Sequence, residues 1–192
     1  SGMLVTTVQG FRSYQQDSAW TWEHQALVRA RFVAGDSQVA SLVNELRGEI
    51  LRVPRDEAAL AREVQAMREK MRTHLLPSAC SEEGEFHLKQ GVGGIVDIEF
   101  MVQYAVLAWS HRVPELARWS DNVRILETLG REGLFERQEC EALTQAYLTY
   151  RCAAHQLSLQ QQPGIAPAGS FLEERAAVSA KWQQLFAPYT ND

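Results

Sequence analysis

The stretch His87-Leu88-Lys89-Gln90-Gly91-Val92-Gly93-Gly94-Ile95-Val96-Asp97-Ile98-Glu99-Phe100-Met101-Val102-Gln103-Tyr104 leads a basic residue into a loop with three glycines and then into a long apolar pattern carrying two acids near its start. From Gly94 onward, Ile95, Ile98, Met101, Val102, Ala105 and Trp109 share one side of a helix, with Phe100, Val106 and Leu107 elsewhere around it. A helix that is apolar nearly all round is buried nearly all round. The pattern therefore predicts a central helix from about Gly94 to His111, with other helices packed on every side. Glycine serves where φ must be positive or where another group approaches the backbone, and a helix N-terminus presents unpaired N–H groups. Something is expected to sit close to the Gly91–Gly94 corner.

Working outward toward the N-terminus, the loop of residues 76–86 is broken by Pro77, Ser78, Ser81 and Gly84. Glu85 to Leu88 read as a short extended piece with no second strand in view. Before the loop, Asp56 caps a helix whose stripe Leu60, Val64, Met67, Met71, Leu75 keeps helical spacing. Its other face carries Arg62, Arg68, Lys70 and Arg72. That face reads either as a solvated surface, with Glu63 and Glu69 within pairing reach, or as a cationic wall toward ATP phosphates or an acidic partner. A helix from Asp36 or Ser37 presents Val39, Leu42, Val43, Leu46 and Ile50 and stops at Pro54. Another is expected from Ser18 to Ala34, closed by Gly35, with a small face interrupted by Glu23. Glu23 reads as a surface or paired acid, or as a functional carboxylate. Residues 1–17 are expected to be a tag remnant, Ser1-Gly2-Met3, followed by irregular chain.

Toward the C-terminus, Pro114 ends the central helix, and Ser120 or Asp121 caps the helix holding Val123, Leu126 and Leu129. Cys140, Leu143, Tyr147, Tyr150, Ala154 and Leu157 then alternate spacings of three and four along one bundle seam. Residues 163–169 read as a loop, and Ser170 caps a last helix with Val178, Trp182 and Leu185. The sum is an all-α fold: a single bundle of about seven helices over residues 18–187, with a tail at 188–192.

Composition limits the function. The formal net charge of −5 opposes nucleic-acid and anionic-membrane binding, which need clustered Lys and Arg. No apolar run is long and uncharged enough to span a bilayer. Cys80, Cys140 and Cys152 show no CxxC spacing, which suits reduced thiols in the cytoplasm.

A glycine-rich loop opening a helix after a lysine has the outline of a phosphate cradle. No Gly-Lys-Ser or Gly-Lys-Thr follows, however, and Asp97 and Glu99 near the helix start would repel a bare phosphate. On a helix these two acids lie about 200° apart, so a metal site built from them alone is not expected. His24, His74, His87, His111 and His155 lack ligand spacing. Arg151 and His155 share a helix face and form a candidate partner contact.

The Lys89 to Tyr104 segment resembles the region following the nucleotidyltransferase domain in the bifunctional glutamine synthetase adenylyltransferase/adenylyl-removing family. Residues 19–31, 67–72 and 118–126 resemble it too, in the same order. The resemblance implies a helical domain that follows a nucleotidyltransferase domain absent from this chain. It implies a cytoplasmic enzyme that moves AMP from ATP, with magnesium, onto a tyrosine of glutamine synthetase under control of the PII signal protein. The family's catalytic Asp-x-Asp pair is not found, so no catalytic or metal-binding residue is expected here, and the chain alone is expected to be inactive and to bind neither ATP nor magnesium. Lys89, Gly93, Gly94, Asp97 and Glu99 become candidates for facing the nucleotide cleft, and Arg68, Arg72, Arg151 and His155 for a partner surface. The alternatives are a non-catalytic docking module for glutamine synthetase or PII, and a structural support whose glycines only allow close packing. A bare apolar patch beside Gly93 would favour the cleft, and one beside Arg151 the docking module.

Overall fold

The computed structural model describes residues 5–75 and 84–190. Among them are eight α-helices: α1 (Val8–Asp17), α2 (Thr21–Val28), α3 (Ser37–Leu51), α4 (Glu57–Leu75), α5 (Ile95–Trp109), α6 (Asn122–Arg131), α7 (Arg137–Leu159) and α8 (Leu172–Phe186). Short 3-10 turns at Pro114–Ala117 and Ala187–Tyr189 follow α5 and α8. The fold is all-α apart from two three-residue strands, β1 (Glu85–His87) and β2 (Ile165–Pro167).

The central helix forms where the apolar run places it. From Ile95 to Ala108 every residue of α5 except Glu99 is buried, and α2, α4, α6, α7 and α8 all pack against it. Side-chain oxygens set several starts. Asp36 Oδ1 accepts from Gln38 and Val39 N–H, Asp56 Oδ1 from Ala59 N–H, and Asp121 Oδ1 from Arg124 N–H. Each satisfies donors that a helix leaves open.

Four expectations are corrected. Residues 8–17, expected to be irregular, form α1; Thr7 Oγ1 accepts from Gly10 N–H at 3.0 Å, and Arg12 pairs with Glu49 of α3. The expected Ser18–Ala34 helix is shorter: Ser18 ends α1, and α2 stops at Val28. There Arg47 takes the Leu27 and Val28 carbonyls, and Ala26, Ala30 and Val33 stay exposed. Glu23 is a paired acid, accepting from Tyr14 Oη and Trp20 N–H. β1 does have a partner, since β2 runs antiparallel to it with Phe86 opposite Ala166. Finally, Ser170 does not cap α8. Phe171 precedes that helix in left-handed geometry (φ 58°), its ring packed on Tyr150 and Phe86. Residues 76–83 of the expected loop, Cys80 among them, and the last two residues lie outside the described residues.

Candidate functional site

The glycine corner is built by β1 running through a tight turn into α5. Gly91 N–H donates to His87 O (2.7 Å), Gly94 N–H to Gly91 O (3.0 Å), Ile95 N–H to Leu88 O (3.0 Å) and Val96 N–H to Lys89 O (3.1 Å). Gly93 N–H donates to Asp97 Oδ2 at 2.7 Å. The donors that a helix start normally leaves open are thus taken by the loop itself, and the corner offers no ring of free amides to a phosphate. Gly93 has φ +79°, and a Cβ there would stand 2.7 Å from Arg175 O and 3.0 Å from Ser179 Oγ. A Cβ on Gly94 would meet Leu88 O at 2.7 Å. What sits against the corner is α8.

Asp97 is buried beneath that contact. Its Oδ1 accepts from Arg68 Nε at 2.5 Å, and the two side chains are 3% and 1% exposed. Arg68 also donates to Gln90 Oε1 (3.2 Å) and Gln90 O (2.9 Å), and Arg72 Nη2 stands 3.6 Å from Asp97 Oδ1. Burial lowers the Arg68 pKa, and the Asp97 carboxylate opposes that shift. Arg68 was expected on the exposed basic face of α4 and on a partner surface; it is neither. Leu60, Val64 and Arg68 follow at intervals of four, so Arg68 continues the buried stripe where a charged residue had suggested surface. The Tyr150 hydroxyl is buried nearby and, among the described residues, has no hydrogen-bond partner, its pKa raised first by burial and then by Glu174. Arg175 stacks over Phe86 at 4.3 Å and donates to Ala168 O. Sequence reasoning named neither Gln90 nor Arg175, because nothing local marks a residue whose role depends on chain brought from far away.

Glu99 is half-buried and accepts from Nη1 of Arg29, just past the end of α2, at 2.7 Å, and Gln103 accepts from Gln25 Nε2 of α2 at 3.1 Å. Asp97 and Glu99 are therefore held by different arginines, one within α4 and one at the end of α2. Among the described residues no group of three or more His, Cys, Asp or Glu is placed to hold a metal ion. Lys89 is exposed at the corner, whereas Gly93, Gly94 and Asp97 are buried. Arg151 and His155 are exposed on α7, far along the sequence from Arg72, which is partly covered. Val92 is the exposed apolar side chain next to Gly93, and Leu148 the one near Arg151. Other exposed apolar side chains include Leu159 (86%), four residues past His155 on α7, and Trp20 (70%) and Trp22 (49%) at the start of α2.

The model of the GlnD PII-uridylyltransferase family matches residues 58–164, more than half of the chain. The chain belongs to that family. A second model, of glutamate-ammonia ligase adenylyltransferase, matches residues 1–74. The two meet within α4, and together they support the resemblance read from the glycine corner and its flanking blocks. The families are nucleotidyltransferases, and no helix among the described residues is long and apolar enough to cross a membrane.

Proposed function

We propose that this chain is the helical domain of a cytoplasmic adenylyltransferase that moves AMP from ATP onto a tyrosine of glutamine synthetase, packed against the preceding nucleotidyltransferase domain. The observation that carries the division of labour is the pairing of both corner carboxylates: Asp97 with Arg68 and Glu99 with Arg29. A carboxylate committed to a guanidinium is a poor ligand for a hard cation, which needs free oxygens. Magnesium does not fit these residues, and the carboxylates of a metal-assisted transfer are assigned to the nucleotidyltransferase domain. This chain contributes a rigid wall: α5 is held by polar partners on α2 and α4, the corner is sealed by α8, and Lys89 is left exposed toward the nucleotide or the target tyrosine.

The exposed aromatic residues support the same packing. Trp20 and Trp22 line a groove of about 610 Å³ with Ala66, Met67 and Lys70, inside the stretch matched by the adenylyltransferase model. Exposed aromatic area beside polar residues suits burial against another domain. The test is to mix this chain with the separately expressed nucleotidyltransferase domain and follow labelled AMP from ATP onto glutamine synthetase. Transfer above that of the nucleotidyltransferase domain alone is expected, and equal transfer would refute the reading. In the intact enzyme, Lys89→Ala is expected to slow transfer without lowering stability; unchanged kinetics would remove Lys89 from the cleft.

A second reading has one observation of its own. Leu148, Arg151 and His155 are exposed on α7 at spacings of three and four, an apolar and cationic strip suited to docking glutamine synthetase or PII. If Arg151→Glu abolished capture of either protein while Trp20→Ala left adenylylation intact, the docking module would be the better description.

A further inference from the structure

A groove of about 430 Å³ lies between α3 and the Pro114–Ala117 turn, lined by Asn44, Arg47, Gly48, Arg52, Ala117 and Arg118 among others. Three guanidiniums meet there, and each is fixed by a different device. Arg47 is 6% exposed and binds four carbonyls: Nε to Leu27 O, Nη1 to Ala117 O, and Nη2 to Val28 O and Trp119 O. A guanidinium has five N–H groups, so one on Arg47 Nη1 is left over. Arg52 lies along α3, its Nε donating to Gly48 O at 2.8 Å, and a Cβ at Gly48 would come within 3.4 Å of Arg52 Nη2. Arg118 stacks on the Trp119 ring at 4.6 Å and reaches Glu115 at 3.0 Å.

The charges do not balance. Among the described residues neither Arg47 nor Arg52 has a carboxylate within ion-pair reach, and Glu115 is the acid paired with Arg118. Three cations against one anion leave about two positive charges in one small groove of a chain whose formal net charge is −5. A phosphate group carries about −1.5 to −2 at neutral pH with three strong acceptor oxygens, and planar guanidinium forks match those oxygens in pairs. The carbonyls around Arg47 satisfy its hydrogen bonds but only partly offset its charge, because dipoles are weaker than an ion.

We propose that the Arg47–Arg52–Arg118 groove binds a phosphate group of a small molecule. The proposal does not rest on the assignment to glutamine synthetase. Free polyphosphate and the phosphates of a nucleotide share this chemistry, so both are used as probes. The whole chain, labelled with nitrogen-15, is titrated at low ionic strength with inorganic pyrophosphate and, separately, with ATP, and the arginine Nε–H resonances are followed. Saturable shifts of Arg52 and Arg118 are expected. Tighter binding of ATP assigns a nucleotide as ligand, and equal binding assigns the phosphate alone. Arg47 is left intact because its four carbonyls depend on it. The double variant Arg52→Gln, Arg118→Gln is expected to weaken binding at least about tenfold, the loss of two charge-assisted contacts. Arg137→Gln, an exposed arginine paired with Glu141 on α7, is expected to leave affinity unchanged. Absence of saturable shifts with both probes, or equal weakening in the double variant and in Arg137→Gln, would overturn the proposal.

Discussion

Arg68 of α4 and Asp97 of α5 form an ion pair at 2.5 Å with almost no solvent access to either side chain, and Gly93 N–H occupies the second Asp97 oxygen. One carboxylate thus ties the start of α5 both to a neighbouring helix and to the glycine loop. Removing one member of a buried pair leaves the other charge unpaired, which costs about 3–5 kcal/mol. Asp97→Ala is expected to lower unfolding stability by that amount in a urea titration. Replacing both, as Arg68→Met with Asp97→Leu, is expected to cost less than Asp97→Ala alone. A loss under about 1 kcal/mol for Asp97→Ala would mean the pair does not hold the corner.

The glycines offer a graded comparison. Gly93 and Gly133 both have positive φ, but only at Gly93 does a Cβ meet backbone, at 2.7 Å from Arg175 O. Gly133→Ala is expected to cost about 1 kcal/mol from left-handed geometry. Gly93→Ala is expected to cost about 1–3 kcal/mol more, because α8 must move away. Equal losses in thermal unfolding would show that α8 yields at no cost.

Two histidines set a pH dependence. Burial lowers the pKa of His24 and His87 below the ordinary value of 6.5. His87 Nδ1 accepts from Gln90 N–H at 3.1 Å, a bond that protonation of that nitrogen removes. Below pH 6.5 the unfolded chain binds protons that the folded chain resists, so stability is full above that pH and falls as the medium is acidified. The double variant His24→Gln, His87→Gln is expected to flatten the decline between pH 6.5 and the lowered folded values. An unaltered slope in denaturant unfolding at several pH values would refute this.

The described thiols are expected to differ in reactivity. Cys140 is buried, and burial pushes its thiol up to about 11, with nearby Lys181 opposing the shift; Cys152 is exposed. Thiolate is the reacting form. Iodoacetamide at pH 8 is expected to modify Cys152 while Cys140 stays intact by peptide mass mapping. Comparable modification of Cys140 in the native chain would contradict its burial.

The central helix and the aspartate caps were legible in the sequence because both are local. An apolar run that surrounds a helix has one physical outcome, and Asp36, Asp56 and Asp121 reach their own N–H groups two or three residues on. α1 was missed because its ten residues are mostly polar and it is held to α3 by packing and by Arg12. A three-residue strand such as β2 is too short to show a period. At the candidate site, the need for close approach was readable from Gly93 and Gly94, but the identity of the approaching group was not: Arg175 and Ser179 lie about eighty residues on. Arg68 misled because a charge on a stripe reads as surface until its partner Asp97 is brought to it.

The β1–β2 clip bears on the order of assembly. It joins His87 to Ile165, and the chain between them holds α5, α6 and α7. Ends so far apart in sequence meet only after loop-closure entropy has been overcome, and contacts of long sequence separation slow folding. The α6–α7 hairpin can form from near neighbours, while the clip and α8 must wait for the whole intervening chain to condense. Completion of the glycine corner thus depends on residues 165–186: during synthesis α5 and two further helices emerge before the helix that seals it.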